Sequence, residues 1–348
     1  MAVDIMDILK KGLAYRASDI HLTVSRPPLY RVDGELLSHP QDSVLSPADT
    51  ERLSMQLMPA ESARNELQST GQVDFSNSLA GIGRFRANIY RQRGSLAAAV
   101  RLIPVEVPGL KDLDLPPMVA NLALRERGLI LVTGVTGSGK TTTLAAMIDY
   151  INEERKRHIL TLEDPIEYLH KHKNSIVNQR EIGTDAHSFG EALKSALRQD
   201  PDVILVGEMR DLDTIATVLT AAETGHLVMA TLHSSSAASS IERIVDVFPP
   251  DQQRQIRIQL ASCLQGIITQ QLLMRQDIPG RAAAVEILVA TPAIRNMIRE
   301  NKVHQIYSAM QTGQSVGMIT MEKSIKSLYS EGLVSQEEYE RLLGSNGH

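Results

Sequence analysis

The chain has 348 residues, of which 43% are hydrophobic and 22% are charged, and its formal net charge is −5 at pH 7. This length predicts about two globular domains, and the negative charge argues against a general affinity for nucleic acid. The single cysteine, Cys263, excludes an internal disulfide and a four-cysteine zinc site. No apolar stretch approaches the roughly 18 residues of a membrane helix, and the start lacks the layout of a signal peptide. We therefore expect a cytosolic protein without a transmembrane segment.

The first part of the chain predicts a small α+β domain. Apolar residues at helical spacing in 4–17 are followed by the strand ASDIHLTV, in which Ile20 and Leu22 alternate with polar residues. Ser46 and Pro47 are typical of a helix start, and residues 73–103 predict further strands of the same domain.

One of these strands, RFRANIY, carries apolar side chains on one face and arginines on the other. Four arginines fall in or just after it: Arg84, Arg86, Arg91 and Arg93. A solvated, charged edge strand is the default interpretation. The functional alternative is that these arginines reach the triphosphate of a neighbouring subunit, as arginine fingers do.

Prolines and glycines cluster between residues 104 and 117. This density predicts a connector between domains rather than an element within one. We place a first domain at residues 1–107, a linker at 108–117 and a second domain at 118–348.

Residues 128–144, GLILVTGVTGSGKTTTL, predict a strand, a phosphate loop and a helix, and they match the G-x-x-x-x-G-K-[ST] template. The glycines let successive N–H groups point into one concavity, and the helix start adds partial positive charge. Lys140 can reach the β and γ phosphates, and the hydroxyl of Thr141 can ligate Mg²⁺. We expect the whole loop to contact the nucleotide: Gly134, Val135, Thr136, Gly137, Ser138, Gly139, Lys140, Thr141 and Thr142.

Short apolar runs separated by helical stretches follow from residue 128 to about 290, a pattern typical of a parallel sheet covered on both faces. The runs are Leu129–Val132, Ile159–Leu162, Val203–Val206 and Leu227–Leu232. Because ligands of open α/β sheets gather at the carboxyl ends of strands, we expect these four strand ends to converge on one site.

Two of the strand ends are acidic. Glu163 and Asp164 follow the second run, where a carboxylate can help to hold Mg²⁺ or orient water, although an acidic strand-to-helix turn is an ordinary alternative. After the third run, Gly207 stands where a magnesium-binding aspartate is expected. Glu208 is then the best candidate to polarise water for attack on the γ phosphate.

Histidines lie at both ends of the fourth run. Seven residues at about 3.3 Å each separate His226 from His233 by roughly 23 Å, so both cannot touch the γ phosphate. His233, at the carboxyl end, can sense it together with Thr231. His226 lies at the opposite end of the sheet, where the strand geometry favours a structural or interface role.

Beyond residue 240 the sequence predicts mostly helix. The residues Ile256, Leu260, Leu264, Ile267 and Ile268 form an apolar stripe at helical spacing. Residues 293–300, AIRNMIRE, predict a packed helix, and their side chains alone indicate no further function.

The segments GVTGSGKT, TLEDPIEY, GEMRD and GHLVMATLH, in this order, resemble the secretion ATPase superfamily that drives type II secretion and type IV pili. ASDIHL and AIRNMIRE are similar to sequence motifs of the type IV pilus retraction ATPases. In that family the segment AIRNMIRE is associated with retraction. Extension and type II secretion ATPases usually carry a longer N-terminal region and a four-cysteine zinc site, which favours retraction here.

The resemblance implies an α/β protein with a PAS-like N-terminal domain and a RecA-like ATPase domain that ends in a helical extension. It implies a cytoplasmic homohexamer at the inner face of the membrane, docked on the platform protein of the pilus machine and using ATP and Mg²⁺. The family roles carry over to Lys140, Thr141, Glu163, Glu208, His226 and His233, with Thr141 and Glu163 at the metal. It also favours the arginines as contacts in trans.

Other functions stay open on the sequence alone. A secretion or pilus-extension ATPase shares this chemistry, and so does an accessory retraction paralogue. A RecA-type nucleic-acid translocase is disfavoured by the net charge and by an aromatic content of only 3%. A nucleotide sensor that does not hydrolyse ATP is a further alternative.

Overall fold

The computed structural model describes residues 4–32, 34–103, 106–278 and 280–344. The chain divides into two compact units, Met1–Glu106 and Val107–His348. Pro104, which belongs to the proline and glycine cluster of the sequence, lies outside the described residues. Within the described ranges, every helix is too short or too polar to serve as a membrane span.

The first unit is an α+β unit built on a single antiparallel sheet. Its described elements are α1 (Ile5–Ala14), β1 (Asp19–Leu22), β2 (Leu29–Val32), β3 (Glu35–Ser38), α2 (Pro47–Leu57), α3 (Glu61–Thr70), β4 (Gln72–Leu79), β5 (Gly83–Gln92) and β6 (Ser95–Leu102). The strand order is β3-β2-β1-β6-β5-β4, and all neighbours pair antiparallel. On β5, Phe85, Ala87 and Ile89 are buried, as the alternation in the sequence predicts.

The second unit is an α/β unit with helices around a larger sheet. It begins with α4 (Pro117–Ala123), β7 (Gly128–Thr133), α5 (Lys140–Glu154), β8 (His158–Glu163), β9 (Ile176–Glu181), α6 (Phe189–Ala196), β10 (Val203–Val206), α7 (Leu212–Glu223) and β11 (Leu227–Leu232). It continues with α8 (Ala237–Asp246), α9 (Pro250–Cys263), β12 (Leu264–Met274), β13 (Arg281–Val289), α10 (Pro292–Arg299), α11 (Ile306–Thr312), α12 (Met321–Ser330) and α13 (Gln336–Gly344). Short 3₁₀ turns cover Val303–Gln305 and Gly313–Val316.

The sheet of the second unit has the order β13-β12-β7-β11-β10-β8-β9. All neighbouring pairs are parallel except β12 and β13. The four apolar runs of the sequence are the strands β7, β8, β10 and β11, which confirms that prediction. These strands are buried along nearly their whole length because helices cover both faces of the sheet. Their carboxyl ends share one edge of the sheet.

The prediction of mostly helix beyond residue 240 is wrong for the segment 264–289. The helix α9 ends at Cys263, and Leu264, Ile267 and Ile268 lie on β12, which pairs with β7 on one side and β13 on the other. Short apolar runs do not distinguish a buried strand from a buried helix by periodicity alone. The β-branched residues 267–269 and Gly266 fit the strand, whose burial on both faces hides the alternation. A mostly helical region begins only at α10.

Candidate functional site

The phosphate loop joins the buried strand β7 to the helix α5. Gly134, Gly137 and Gly139 have φ angles of 144°, 78° and 87°, in the region that favours glycine. A Cβ on Gly137 would meet no atom within 4 Å, so this part of the loop opens outward.

The start of α5 differs from the starts of the helices that follow later strands. The side chains of Ser188, Asp211 and Ser236 accept hydrogen bonds from backbone N–H groups at the starts of α6, α7 and α8. The helix α5 begins after Gly139 and has no side-chain cap. Its first N–H groups therefore remain available to an anionic ligand, which the helix dipole also favours.

Lys140 is buried at the foot of the loop. Its Nζ donates to the carbonyl oxygens of Gly134 and Val135, at 2.9 Å in each case. Burial lowers the pKa of Lys140, and the nearby charge of Glu208 opposes this shift. The ammonium thus lies in the loop, close to a carboxylate that follows a different strand.

The remaining predicted loop residues differ in exposure. Val135, Thr136 and Thr141 are exposed, whereas Ser138 is buried, and its hydroxyl has no hydrogen-bond partner among the described residues. The hydroxyl of Thr142 lies 3.1 Å from that of Tyr168, which belongs to the acidic segment after β8.

Glu163 is the last residue of β8 and is buried. Its Oε1 accepts hydrogen bonds from the hydroxyl of Thr161 at 2.6 Å and from the amide of Gln179 at 3.1 Å. Burial raises the pKa of Glu163, and these hydrogen bonds, together with one from the backbone N–H of Glu167, oppose the rise.

Glu208 follows β10 and is held from two sides. The guanidinium of Arg210 lies 2.7 Å from Oε2, and Nε2 of His233 lies 3.1 Å from Oε1. The hydrogen bond from Arg210 is the largest cause that lowers the pKa of Glu208, and the charges of His233 and Lys140 add to it. This carboxylate is therefore ionised at neutral pH and can accept a proton.

The structure explains why residue 207 is a glycine rather than the expected aspartate. A Cβ there would lie 3.1 Å from the carbonyl oxygen of Leu162 and 3.3 Å from Cα of Glu163. Since both atoms belong to the backbone of β8, a side chain at this position would push the ends of β8 and β10 apart by a few tenths of an ångström. The carboxylate at this strand end is instead that of the next residue, Glu208.

Many of the predicted site residues of the second unit converge on one cavity at the carboxyl edge of the sheet, which Gly134, Val135, Ser138, Gly139 and Thr142 of the loop do not line. Those that line it are Thr136, Gly137, Lys140, Thr141, Glu163, Glu208, Thr231 and His233. The geometry brings four separate strand ends around a concave, partly charged space next to the phosphate loop.

His226 does not belong to this cavity. It precedes β11, its Nδ1 lies 3.0 Å from the carbonyl oxygen of Ala221, and its own carbonyl accepts from the N–H of Gly128, the first residue of β7. Both contacts lie at the amino ends of the strands, whereas His233 lies at the carboxyl end. His226 therefore lies apart from the other predicted site residues, and the role that the resemblance implies for it stays a prediction.

The four predicted arginines belong to the first unit. Arg84 and Arg86 are half-buried on β5, and Arg91 and Arg93 are exposed at the end of β5 and in the turn after it.

Several residues of the cavity did not emerge from the sequence. They are Glu167, His170 and Phe189 on the cavity wall, and Arg210 beside Glu208, whereas Asp164, which the sequence did single out, also lines the cavity. The side chain of His170 is 2% exposed, and burial lowers its pKa to about 4. Glu167 and Arg210 had a signal in the sequence, because they lie in the segments TLEDPIEY and GEMRD.

The oxygen donors of the cavity fit Mg²⁺ bound together with phosphates. Within the described ranges, no group of three or more His, Cys, Asp or Glu side chains could hold a metal ion. A phosphate-bound Mg²⁺ needs fewer protein ligands, since phosphate oxygens and water complete its shell. The hydroxyl of Thr141 and the carboxylates of Glu163 and Glu208 line one cavity, and all are the hard oxygen donors that Mg²⁺ prefers.

Comparison with known proteins agrees with this geometry. The family model described as Type II/IV secretion system protein matches residues 98–341. The chain is 47% identical over 337 residues to the Type IV pilus retractation ATPase PilT of Pseudomonas aeruginosa, covering 96% of each chain. It is 49% identical over 305 residues to the Twitching motility protein of Neisseria gonorrhoeae, covering 84% of this chain and 82% of that protein.

A solved structure also resembles the chain closely. The crystal structure of the pilus retraction motor PilT with bound ADP superimposes with a TM-score of 0.90 at 51% identity. The superposition covers 97% of this chain and 96% of that one.

Proposed function

The chain belongs to the type II/IV secretion system protein family, and from this membership we propose that it is a pilus retraction ATPase. Such a motor hydrolyses ATP to ADP and phosphate and drives the disassembly of a type IV pilus. The observation that carries the proposal is the meeting of the phosphate loop, Glu163, Glu208 and His233 in one cavity. The identity of 47% to a retraction ATPase over 96% of the chain supports the choice of motor.

The proposal includes a finer description of the two units. The first is PAS-like, which its antiparallel sheet flanked by helices supports. The second is RecA-like, which the phosphate loop after the central strand β7 and the acidic residue after β10 support.

ATP is the substrate that the loop suits. The N–H groups at the start of α5 and in the loop hold the phosphates, and the ammonium of Lys140 exchanges its two loop carbonyls for β and γ phosphate oxygens. Thr141 and Glu163 are the residues that would hold Mg²⁺, and the ion would supply positive charge against the charge that develops on the phosphates.

Glu208 acts as the general base in this proposal. Its carboxylate accepts a proton from the attacking water, a new bond forms between that water oxygen and the γ phosphorus, and the bond to the β–γ bridging oxygen breaks. Arg210 and His233 hold the carboxylate in a single orientation. The ammonium of Lys140 stabilises the charge of the leaving ADP.

The proposal extends to assembly and location. Six copies form a ring at the cytoplasmic face of the inner membrane, docked on the platform protein of the pilus machine. In that ring Arg84, Arg86, Arg91 and Arg93 of one copy supply the positive charge that a neighbour's γ phosphate needs. Hydrolysis then depends on assembly, which sedimentation and turnover measured over one dilution series would test.

Replacing Glu208 by glutamine tests the catalytic role. Glu208→Gln should bind ATP like the wild type, because the phosphate loop is intact. Its turnover should fall about 10²- to 10⁴-fold, since no base remains to accept the proton. Phosphate release at saturating ATP and titration with a fluorescent nucleotide measure the two effects. Glu242→Gln, the same change on the exposed side of α8, is the matched control. Normal turnover in Glu208→Gln would remove this residue from the mechanism.

Deleting the gene in its host tests the direction of the motor. We expect cells with many surface pili and no movement, rescued by the wild type and not by Glu208→Gln. Cells without pili would instead identify an extension motor with the same chemistry.

A further inference from the structure

The strand β12 backs the phosphate loop. It runs parallel to β7, and its Thr269 lies opposite Thr133, the last residue of β7. The chain of β7 then turns into the loop, while β12 continues to Met274. The loop therefore lies against the part of β12 that extends beyond its neighbour.

Two consecutive residues of β12 hold the two ends of the loop. At the entrance, the hydroxyls of Thr133 and Thr269 lie 2.8 Å apart. At the exit, the hydroxyl of Thr143 in the first turn of α5 donates to Oε1 of Gln270 at 2.7 Å. All four residues are at most 3% exposed, so removing one partner of either bond leaves a buried polar group unsatisfied.

The glycines of the loop show how closely Gln270 supports it. A Cβ on Gly134 would overlap the backbone oxygen of Gln270, and a Cβ on Gly139 would lie 2.7 Å from its Nε2. Gln270 thus contacts the loop at its first and last glycines and also binds the first turn of α5 through Thr143.

We propose that Gln270 and Thr143 are positioning residues that set the width of the phosphate cradle. The inference rests on the proposed function, because it gives these residues their role in nucleotide binding. The phosphates must meet N–H groups from both the loop and the start of α5 at the same time. Because the distance between the two ends is already fixed, the loop loses less conformational freedom when nucleotide binds, which raises the affinity.

A pair of substitutions at Thr143 tests the bond itself. Thr143→Val keeps the shape and removes the hydroxyl, and we expect the dissociation constants for ADP and a non-hydrolysable ATP analogue to rise about tenfold. Thr143→Ser keeps the hydroxyl and should bind nucleotide like the wild type. The kcat at saturating ATP should stay within about twofold of the wild type in Thr143→Val, because Glu208 belongs to a different strand.

A double variant separates positioning from mere stability. Thr143→Val alone leaves Oε1 of Gln270 buried without a partner and lowers the melting temperature. Adding Gln270→Met removes that unsatisfied group, so the melting temperature should return toward that of the wild type. The nucleotide affinity should remain about tenfold weaker, because the directional bond is still missing.

The measurements use the full-length protein, with titration calorimetry for nucleotide binding and thermal unfolding without nucleotide for stability. Affinity that recovers together with the melting temperature in the double variant would overturn the inference. Unchanged affinity in Thr143→Val would overturn it as well. A wild type that binds neither nucleotide would instead refute the proposed function.

Discussion

Replacing Gly207 by alanine is the smallest change that should disturb both Glu163 and Glu208. The new Cβ would lie 3.1 Å from the carbonyl oxygen of Leu162 and 3.3 Å from Cα of Glu163. The backbone N–H of Gly207 donates to that same carbonyl at 2.7 Å, so the local spacing of the backbone is already short. The ends of β8 and β10 must therefore separate by a few tenths of an ångström.

Overpacking of this kind typically costs about 1–3 kcal/mol. For a unit of this size, each 1 kcal/mol lowers the melting temperature by roughly 2–4 °C. The effect on turnover should be larger, because Glu163 and Glu208 lie on the two strand ends that separate. Misplacement by 1 Å can cost about 10²-fold in rate, so we expect kcat to fall about tenfold. ATP affinity measured without Mg²⁺ should not change, since β11 separates β10 from the loop-bearing β7.

Thermal unfolding, phosphate release and nucleotide titration of Gly207→Ala measure these three quantities. Gly190→Ala is the matched control, because a Cβ there meets atoms only at 4.0 Å, an ordinary contact distance, and Gly190 lies in the helix α6. That control should be neutral or stabilising by about 0.5–1 kcal/mol. Wild-type turnover in Gly207→Ala would show that the two strand ends do not hold the catalytic geometry, and loss of ATP binding would contradict the separation of the two functions.

Three further changes follow from charges and contacts of the second unit. Arg210 holds the pKa of Glu208 below its usual range, so Arg210→Ala should move the acid limb of the kcat profile to higher pH. An unmoved limb would argue against Glu208 as the base. Burial lowers the pKa of His170 from 6.5 to about 4. The unfolded chain therefore binds the proton first, and stability should fall by about 3 kcal/mol as pH drops from 6.5 to 4. In His170→Gln, the free energy of unfolding should depend less on pH over this range. Arg295 donates to three backbone carbonyls, so Arg295→Ala should destabilise by about 1–3 kcal/mol in urea unfolding, whereas Arg299→Ala, at an exposed position, should not.

The part of the site that the sequence predicts correctly rests on chemistry that is local in the chain. The template of the phosphate loop lies within residues 134–141, and polar residues follow each apolar run directly in the sequence. Because parallel strands present their carboxyl ends at one edge, adding these local features predicts that Glu163, Glu208 and His233 meet at the loop. The same rule places His226 at the other edge, and the structure confirms that position.

The contacts that orient these groups could not be predicted because they join distant parts of the chain. Gln179 reaches Glu163 from the edge strand β9, and Gln270 reaches Thr143 from β12. Neither glutamine belongs to a recognised motif, and a glutamine in a sequence is usually interpreted as an ordinary surface residue. Interpreting residues 264–268 as helix also removed β12 from the predicted sheet, so the support behind the loop could not be deduced.

Arg295 changes how the segment AIRNMIRE is understood. From the helix α10, its guanidinium donates to the carbonyl oxygens of Ala261 and Ser262 in the last turn of α9, at 2.6 and 2.7 Å, and to that of Ala290 at 3.1 Å. Carbonyls at a helix end lack partners within the helix, and a cation is the favourable group there. Arg295 thus closes the corner at which α9 becomes β12, the strand that supports the phosphate loop. If substitution of Arg295 impairs retraction, the cause is therefore the altered packing between α9 and β12. Whether the segment is a docking surface must be tested with substitutions at exposed positions such as Arg299.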